Sequence, residues 1–117
     1  MKKIFSLLLV IILLTGCAQK YTTIDSNKAM ELIENGAIII DVREAEEYNN
    51  GGHIKDAINI PLGIIDTINY DMNQEIIVYC QSGMRSQQAA EKLYDMGYTS
   101  IYNLDGGLIN WGFELEE

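Results

Sequence analysis

The chain has 117 residues, 48% of them hydrophobic and 21% charged, with a formal net charge of −9. That length holds one ordinary domain and leaves no room for a second. The excess of carboxylates excludes a surface made for nucleic acid or for anionic lipid headgroups, because both would be repelled.

The first residues read as a targeting segment. Lys2 and Lys3 give a positive start, and Ile4 to Leu14 is apolar except for Ser6. A membrane-spanning helix needs about 20 apolar residues, so this shorter run suits the core of a signal peptide instead. Leu14-Thr15-Gly16-Cys17 resembles the lipobox of bacterial lipoproteins. The resemblance implies removal of residues 1–16 and a diacylglycerol on the sulfur of Cys17. The protein would then be held by lipid in the cell envelope, on the extracytoplasmic side of its membrane. Two acyl chains give stable anchoring where one is marginal. Loss of Lys2 and Lys3 would take the net charge from −9 to −11. Residues 17–22 then form a short tether, and 23–117 the domain. With Cys17 lipidated, Cys80 is the one thiol left, so no internal disulfide or cysteine-based metal site is available.

Thr23-Ile24 can open a strand, and Asp25 or Ser26 can cap a helix that turns Ala29, Leu32 and Ile33 inward before Asn35-Gly36 ends it. Ala37 to Val42 is a continuous apolar run with Asp41 near its close. Such a run suits a strand buried on both faces, and therefore a parallel sheet. Ala45 to Asn50 predicts a short helix, Ala57 to Ile60 a short strand stopped by Pro61, and Ile64, Ile65 and Ile68 another brief helix. Ile76 to Tyr79 is a second buried strand that runs straight into Cys80. From Ser86 the spacing of Ala89, Ala90, Leu93 and Met96 predicts a helix, with Gly97 as its stop. Ile101 to Leu104 can be a last strand, Gly106-Gly107 a turn, and Leu108 to Trp111 a terminal helix. Alternating strands and helices predict an α/β fold on a parallel sheet.

Cys80-Gln81-Ser82-Gly83-Met84-Arg85-Ser86 lies between a buried strand and a helix. That is the carboxyl edge, where open α/β sheets bind ligands. A tight loop entering a helix turns backbone N–H groups inward, and the helix dipole adds positive potential. Gly83 lets the chain turn, and Arg85 adds a full charge. A cysteine held there has a depressed pKa and serves as a nucleophilic thiolate, with Gln81, Ser82, Gly83, Met84 and Arg85 as the substrate-binding loop.

At this loop the chain resembles the single-domain rhodanese-like sulfurtransferases, whose active site has the form Cys-x-x-Gly-x-Arg. Asp41-Val42-Arg43-Glu44, Glu46-Glu47-Tyr48, Gly52-His53-Ile54 and Ala57 to Pro61 resemble the family's first signature, and Gly106-Gly107 with Trp111 its second. The resemblance implies an open parallel sheet flanked by helices on both faces. It also implies that Cys80 takes sulfane sulfur from thiosulfate, polysulfide or a small persulfide, then passes it to a thiol or cyanide. A monomer without cofactor or metal suffices for that chemistry. Asn49-Asn50-Gly51-Gly52 is one residue longer than the family's usual approach. The short tail after Trp111 is expected to leave one wall of the pocket open.

Asp41 and Arg43 end a central strand and are expected to brace the loop as an ion pair. His53 is the single histidine. Transfer to a preformed thiolate needs no base, and the resemblance places His53 in a structural turn. Tyr48, Tyr79 and Trp111 read as core or rim residues. Two other functions compete. One is a sulfur carrier or binding module without turnover. The other is a phosphatase or arsenate reductase, which needs arginine six positions after cysteine, where this chain has Ser86.

Overall fold

The computed structural model describes residues 19–117; the signal segment and Cys17 lie outside the described residues. In chain order the elements are β1 (Thr22–Ile24), α1 (Ser26–Glu34), β2 (Ile38–Asp41), α2 (Ala45–Asn49), β3 (His53–Ile54) and β4 (Ile58–Asn59). A 3-10 turn (Leu62–Thr67) follows, then β5 (Ile76–Tyr79), α3 (Met84–Asp95), β6 (Ile101–Leu104), a second 3-10 turn (Gly107–Asn110) and β7 (Leu115–Glu116). Five strands form one parallel sheet in the order β1-β6-β5-β2-β4.

The apolar runs explain the centre of that sheet. All four residues of β5 are buried. Ile76, Val78 and Cys80 pack toward Ala89, Ala90 and Leu93 of α3 and toward Ile65. Ile77 and Tyr79 face the other layer, with Ala29 and Leu32 of α1. The alternation follows from the two-residue period of a strand, and helices cover both faces.

Three elements differ from the sequence expectation. Helix α3 begins at Met84, two residues before Ser86, because Gly83 at φ 109° turns the chain at once into the helix. Met84 and Arg85 therefore occupy the first helical turn and not the loop. The strand expected from Ala57 shortens to Ile58–Asn59, since the Ala57 N–H closes a turn onto the Ile54 carbonyl at 3.0 Å. The terminal helix is the 3-10 turn Gly107–Asn110. The tail after it returns to pair antiparallel with β3, His53 opposite Glu116 and Ile54 opposite Leu115. Two-residue strands carry no readable periodicity, so this ribbon had no sequence signal.

Asp41 and Arg43 form a buried pair. The Arg43 Nη2 donates to Asp41 Oδ2 at 2.8 Å and to the Gly52 carbonyl at 2.9 Å. Its Nε donates to both carboxylate oxygens, at 3.1 and 3.0 Å. Asn59 Nδ2 donates to the Asp41 and Arg43 carbonyls at 3.1 and 2.9 Å. The pair thus ties the end of β2 to the segment entering β3. Arg43→Ala leaves the Asp41 carboxylate buried without its cation, a change that costs about 3–5 kcal/mol in comparable pairs. Urea denaturation should report a loss of that size. A wild-type midpoint would mean that the pair does not brace the fold.

Candidate active site

Strand β5 delivers Cys80 to the carboxyl edge of the sheet, and α3 starts four residues later. The thiol is buried against the first turn of that helix, with the residue only 1% exposed. Gly83 N–H donates to the Cys80 Sγ at 3.1 Å and Ser86 N–H at 3.4 Å. The thiol itself donates to Ser86 Oγ across 3.6 Å, and the Ser86 hydroxyl donates to the Gly83 carbonyl at 3.1 Å. When the sulfur loses its proton, that hydroxyl can turn and donate to it.

Two effects oppose one another at Cys80. Burial pushes its pKa up. The Ser86 hydroxyl and the N–H groups of Ser86, Gly83 and Ser82 pull it down, and the net result lies below the ordinary 9.0. Hydrogen bonds that strengthen on ionisation outweigh desolvation here. The site is a preformed cradle for an anion on sulfur.

The second 3-10 turn holds the other side of the loop. Leu108 N–H donates to the Cys80 carbonyl at 3.0 Å and Ile109 N–H to the Gln81 carbonyl at 3.2 Å. Gly107, at φ 60°, lies so close that a Cβ there would overlap the Cys80 carbonyl oxygen. No larger residue permits that approach without moving the loop. Gln81, Ser82 and Met84 are exposed around the sulfur.

Arg85 is engaged elsewhere than its loop. Its Nη1 and Nη2 donate to the two carboxylate oxygens of Glu47 at 2.7 and 3.0 Å, a bidentate pair to α2. Those bonds hold the Glu47 carboxyl down at about 2, against the upward push of its partial burial and with help from the Glu44 N–H and the Arg85 charge. The folded value lies below the ordinary 4.5, so the pair's stabilisation is complete above that pH and fades as pH falls toward about 2. Arg85 still feels the charge of Cys80, so its cation contributes to the site's field while it is bonded to Glu47.

Among the described residues, no hydrogen bond joins Asp41 or Arg43 to the side chains of the Cys80 loop. His53 lies in β3 and not in a turn, its ring stacked on Tyr48 at 4.0 Å between centroids and its Nε2 3.7 Å from Glu116. Tyr79 is fully buried, and its hydroxyl accepts the Ile54 N–H at 3.1 Å. Three residues at the site escaped the sequence reading of roles: Ser86, Glu47 and Gly107. Glu47 and Gly107 lay inside recognised motifs, which was the available signal. Ser86 closed the loop without any sign that its hydroxyl meets the sulfur.

A model of the rhodanese-like domain matches residues 25–114, and a prokaryotic membrane lipoprotein lipid attachment site matches residues 1–18. The chain belongs to the rhodanese-like domain family. It is 33% identical over 94 residues to thiosulfate sulfurtransferase GlpE of Pseudomonas savastanoi pv. phaseolicola, covering 79% of this chain and 88% of that one. In Bacillus subtilis it is 42% identical to the uncharacterized protein YqhL over 82 residues, 68% of this chain and 64% of YqhL. It is also 37% identical over 75 residues to the putative sulfur carrier protein YrkF of that organism, covering 62% of this chain and 40% of YrkF. Among solved structures, a rhodanese-like domain protein from Staphylococcus aureus superimposes with a TM-score of 0.70 at 31% identity, covering 81% of this chain and 96% of that one.

Within this rhodanese-like site the Ser86 hydroxyl has a measurable role. The Ser86 hydroxyl is among the groups that lower the Cys80 pKa, so Ser86→Ala should raise it. Because a higher pKa leaves less thiolate, iodoacetamide alkylation of Cys80 should slow at pH 7 and recover at higher pH. An unmoved alkylation midpoint would assign the acidity to the backbone N–H groups alone.

Proposed function

We propose that the protein is a sulfurtransferase in which Cys80 carries sulfane sulfur as a persulfide. The observation that carries this reading is the seat of the Cys80 sulfur on N–H groups at the start of α3, beside the Ser86 hydroxyl. The Cys80 thiolate attacks the outer sulfur of a donor. The donor's own S–S bond breaks, and its remainder leaves with the electron pair, as sulfite when the donor is thiosulfate. The new persulfide then places its terminal sulfur about 2 Å beyond Sγ, toward the mouth of the buried site. A thiolate or cyanide attacks that terminal sulfur, and the bond to Cys80 breaks to restore the thiolate. Backbone N–H groups fixed before the reaction favour the anion at each stage without reorganising. The similarity to GlpE supports thiosulfate as one donor. We place the mature protein on the extracytoplasmic side of its membrane, held by lipid on Cys17.

Cys80→Ser should abolish thiosulfate-to-cyanide transfer while the fold is retained, because a serine hydroxyl does not ionise near pH 7. Intact mass after thiosulfate treatment should show one added sulfur on wild type and none on the variant. Turnover by Cys80→Ser close to wild type would remove Cys80 as nucleophile. A second reading, a carrier that holds sulfur without turnover, is favoured by the similarity to YrkF. A stable adduct on Cys80 with no catalytic transfer to any thiol would select it.

Glu47 tempers the use of anionic donors in this scheme. A thiosulfate dianion must share Arg85 with the carboxylate that holds it. Glu47→Gln should therefore raise kcat/KM for thiosulfate, by up to about tenfold, and change turnover of a neutral polysulfide far less. An equal change for both donors would place the effect in loop geometry instead of charge.

A further inference from the structure

We infer that Ser26, the first residue of α1, is a positioning residue for the Cys80 loop, acting through the 3-10 turn Gly107–Asn110. That role rests on the sulfur-transfer reading above only in taking Cys80 as the nucleophile.

The Ser26 hydroxyl joins parts of the chain that lie far apart in sequence. It donates to the Asn110 carbonyl at 3.2 Å, 84 positions away, and accepts the Gly112 N–H at 3.0 Å. Among the described residues it is the one side chain from another element that hydrogen-bonds the segment 105–112. The helix does not need that hydroxyl. Asp25 caps α1, its carboxylate accepting the Lys28 N–H at 2.9 Å, which leaves Ser26 to serve the turn. The other end of the segment is tied to the same junction by backbone, with Asp105 N–H donating to the Ile24 carbonyl at 2.8 Å.

What the turn does for the loop follows from the planarity of the peptide bond. Leu108 N–H holds the Cys80 carbonyl, and Ile109 N–H holds the Gln81 carbonyl. In a trans peptide the carbonyl and the N–H of the next residue point in opposite directions. A Gln81 carbonyl fixed on the turn therefore aims the Ser82 N–H the other way, to the side where Gly83 N–H meets the Cys80 Sγ at 3.1 Å. Against the upward push of burial, the Ser82 N–H joins the Ser86 hydroxyl and the Ser86 and Gly83 N–H groups in lowering the Cys80 pKa, as that direction requires. A 3-10 turn of four residues holds itself weakly, because its hydrogen bonds are poorly aligned. The clamp at its far end then decides how steadily it keeps the two carbonyls. Without the Ser26 hydroxyl, the Asn110 carbonyl and the Gly112 N–H lose their tie to α1, and the loop loses a fixed backing.

The test is iodoacetamide alkylation across pH on the full-length chain, for wild type, Ser26→Ala and Ser26→Thr. Modification is read on the Cys80 peptide by mass, so Cys17 does not enter. Alkylation requires the thiolate, so its pH midpoint follows the Cys80 pKa, whereas its rate at high pH reports access to the sulfur. Ser26→Ala should move the midpoint upward and slow alkylation at pH 7 a few-fold, with the high-pH rate unchanged, because the thiolate loses an aimed donor while the site stays closed. Ser26→Thr keeps a hydroxyl and should return the midpoint toward wild type. An unmoved midpoint in Ser26→Ala would overturn the inference. So would a faster high-pH rate with no change of midpoint, since that marks a loosened fold and nothing more. A Ser26→Thr midpoint as high as that of Ser26→Ala would also count against the hydroxyl. Thiosulfate-to-cyanide transfer is measured on the same samples. Wild type without transfer would remove the sulfurtransferase reading, and wild type with transfer but an unmoved midpoint in Ser26→Ala would remove the role of Ser26 alone.

Discussion

A thiol that is almost completely buried and yet acidic depends on how β5 hands the chain to α3. Burial alone would suppress ionisation. The left-handed turn at Gly83 starts the helix at once, so its first N–H groups point at the sulfur and not at solvent. A later helix start would separate those donors from Sγ and leave desolvation unopposed. The neighbouring features serve this handover. The central position of β5 holds Cys80 in place, and the close approach of Gly107 keeps the loop carbonyls occupied.

The distribution of charge around the site follows from the same economy of donors. Two arginines lie near it in sequence motifs, and each is bonded to a carboxylate, Arg43 to Asp41 and Arg85 to Glu47. The positive potential nearest the sulfur therefore comes from backbone dipoles, with Arg85 adding its field from within an ion pair. Backbone donors cannot be neutralised or titrated, and they favour a thiolate, a persulfide or any other anion on sulfur alike. Beyond those dipoles, Glu47 is the carboxylate bonded to Arg85 in the first turn of α3.

A parallel sheet has two unlike edges, and the chain enters this one at the edge opposite the Cys80 loop. The chain enters at the strand-start edge, and Lys20 and Tyr21 pin it to the lower part of α3. The Cys80 loop occupies the strand-end edge, where helix N-termini gather.

Much of this was determined by the sequence itself. The apolar runs at 37–42, with Asp41 near its close, and at 76–79 read as buried strands, and Cys80 with Gly83 at the end of one of them marked the candidate nucleophile. The targeting segment was equally legible, because charge, length and the residues at the cut are local properties. The tertiary structure decided what depends on distant pairs. It joined Arg85 to Glu47 across 38 positions, brought Gly107 onto the Cys80 carbonyl, and paired the tail with His53–Ile54. It also began α3 early enough to put the Ser86 hydroxyl on the sulfur. Periodicity reports which face a residue buries. It does not report which polar partner a half-exposed side chain meets, since that depends on how separate elements are packed against one another.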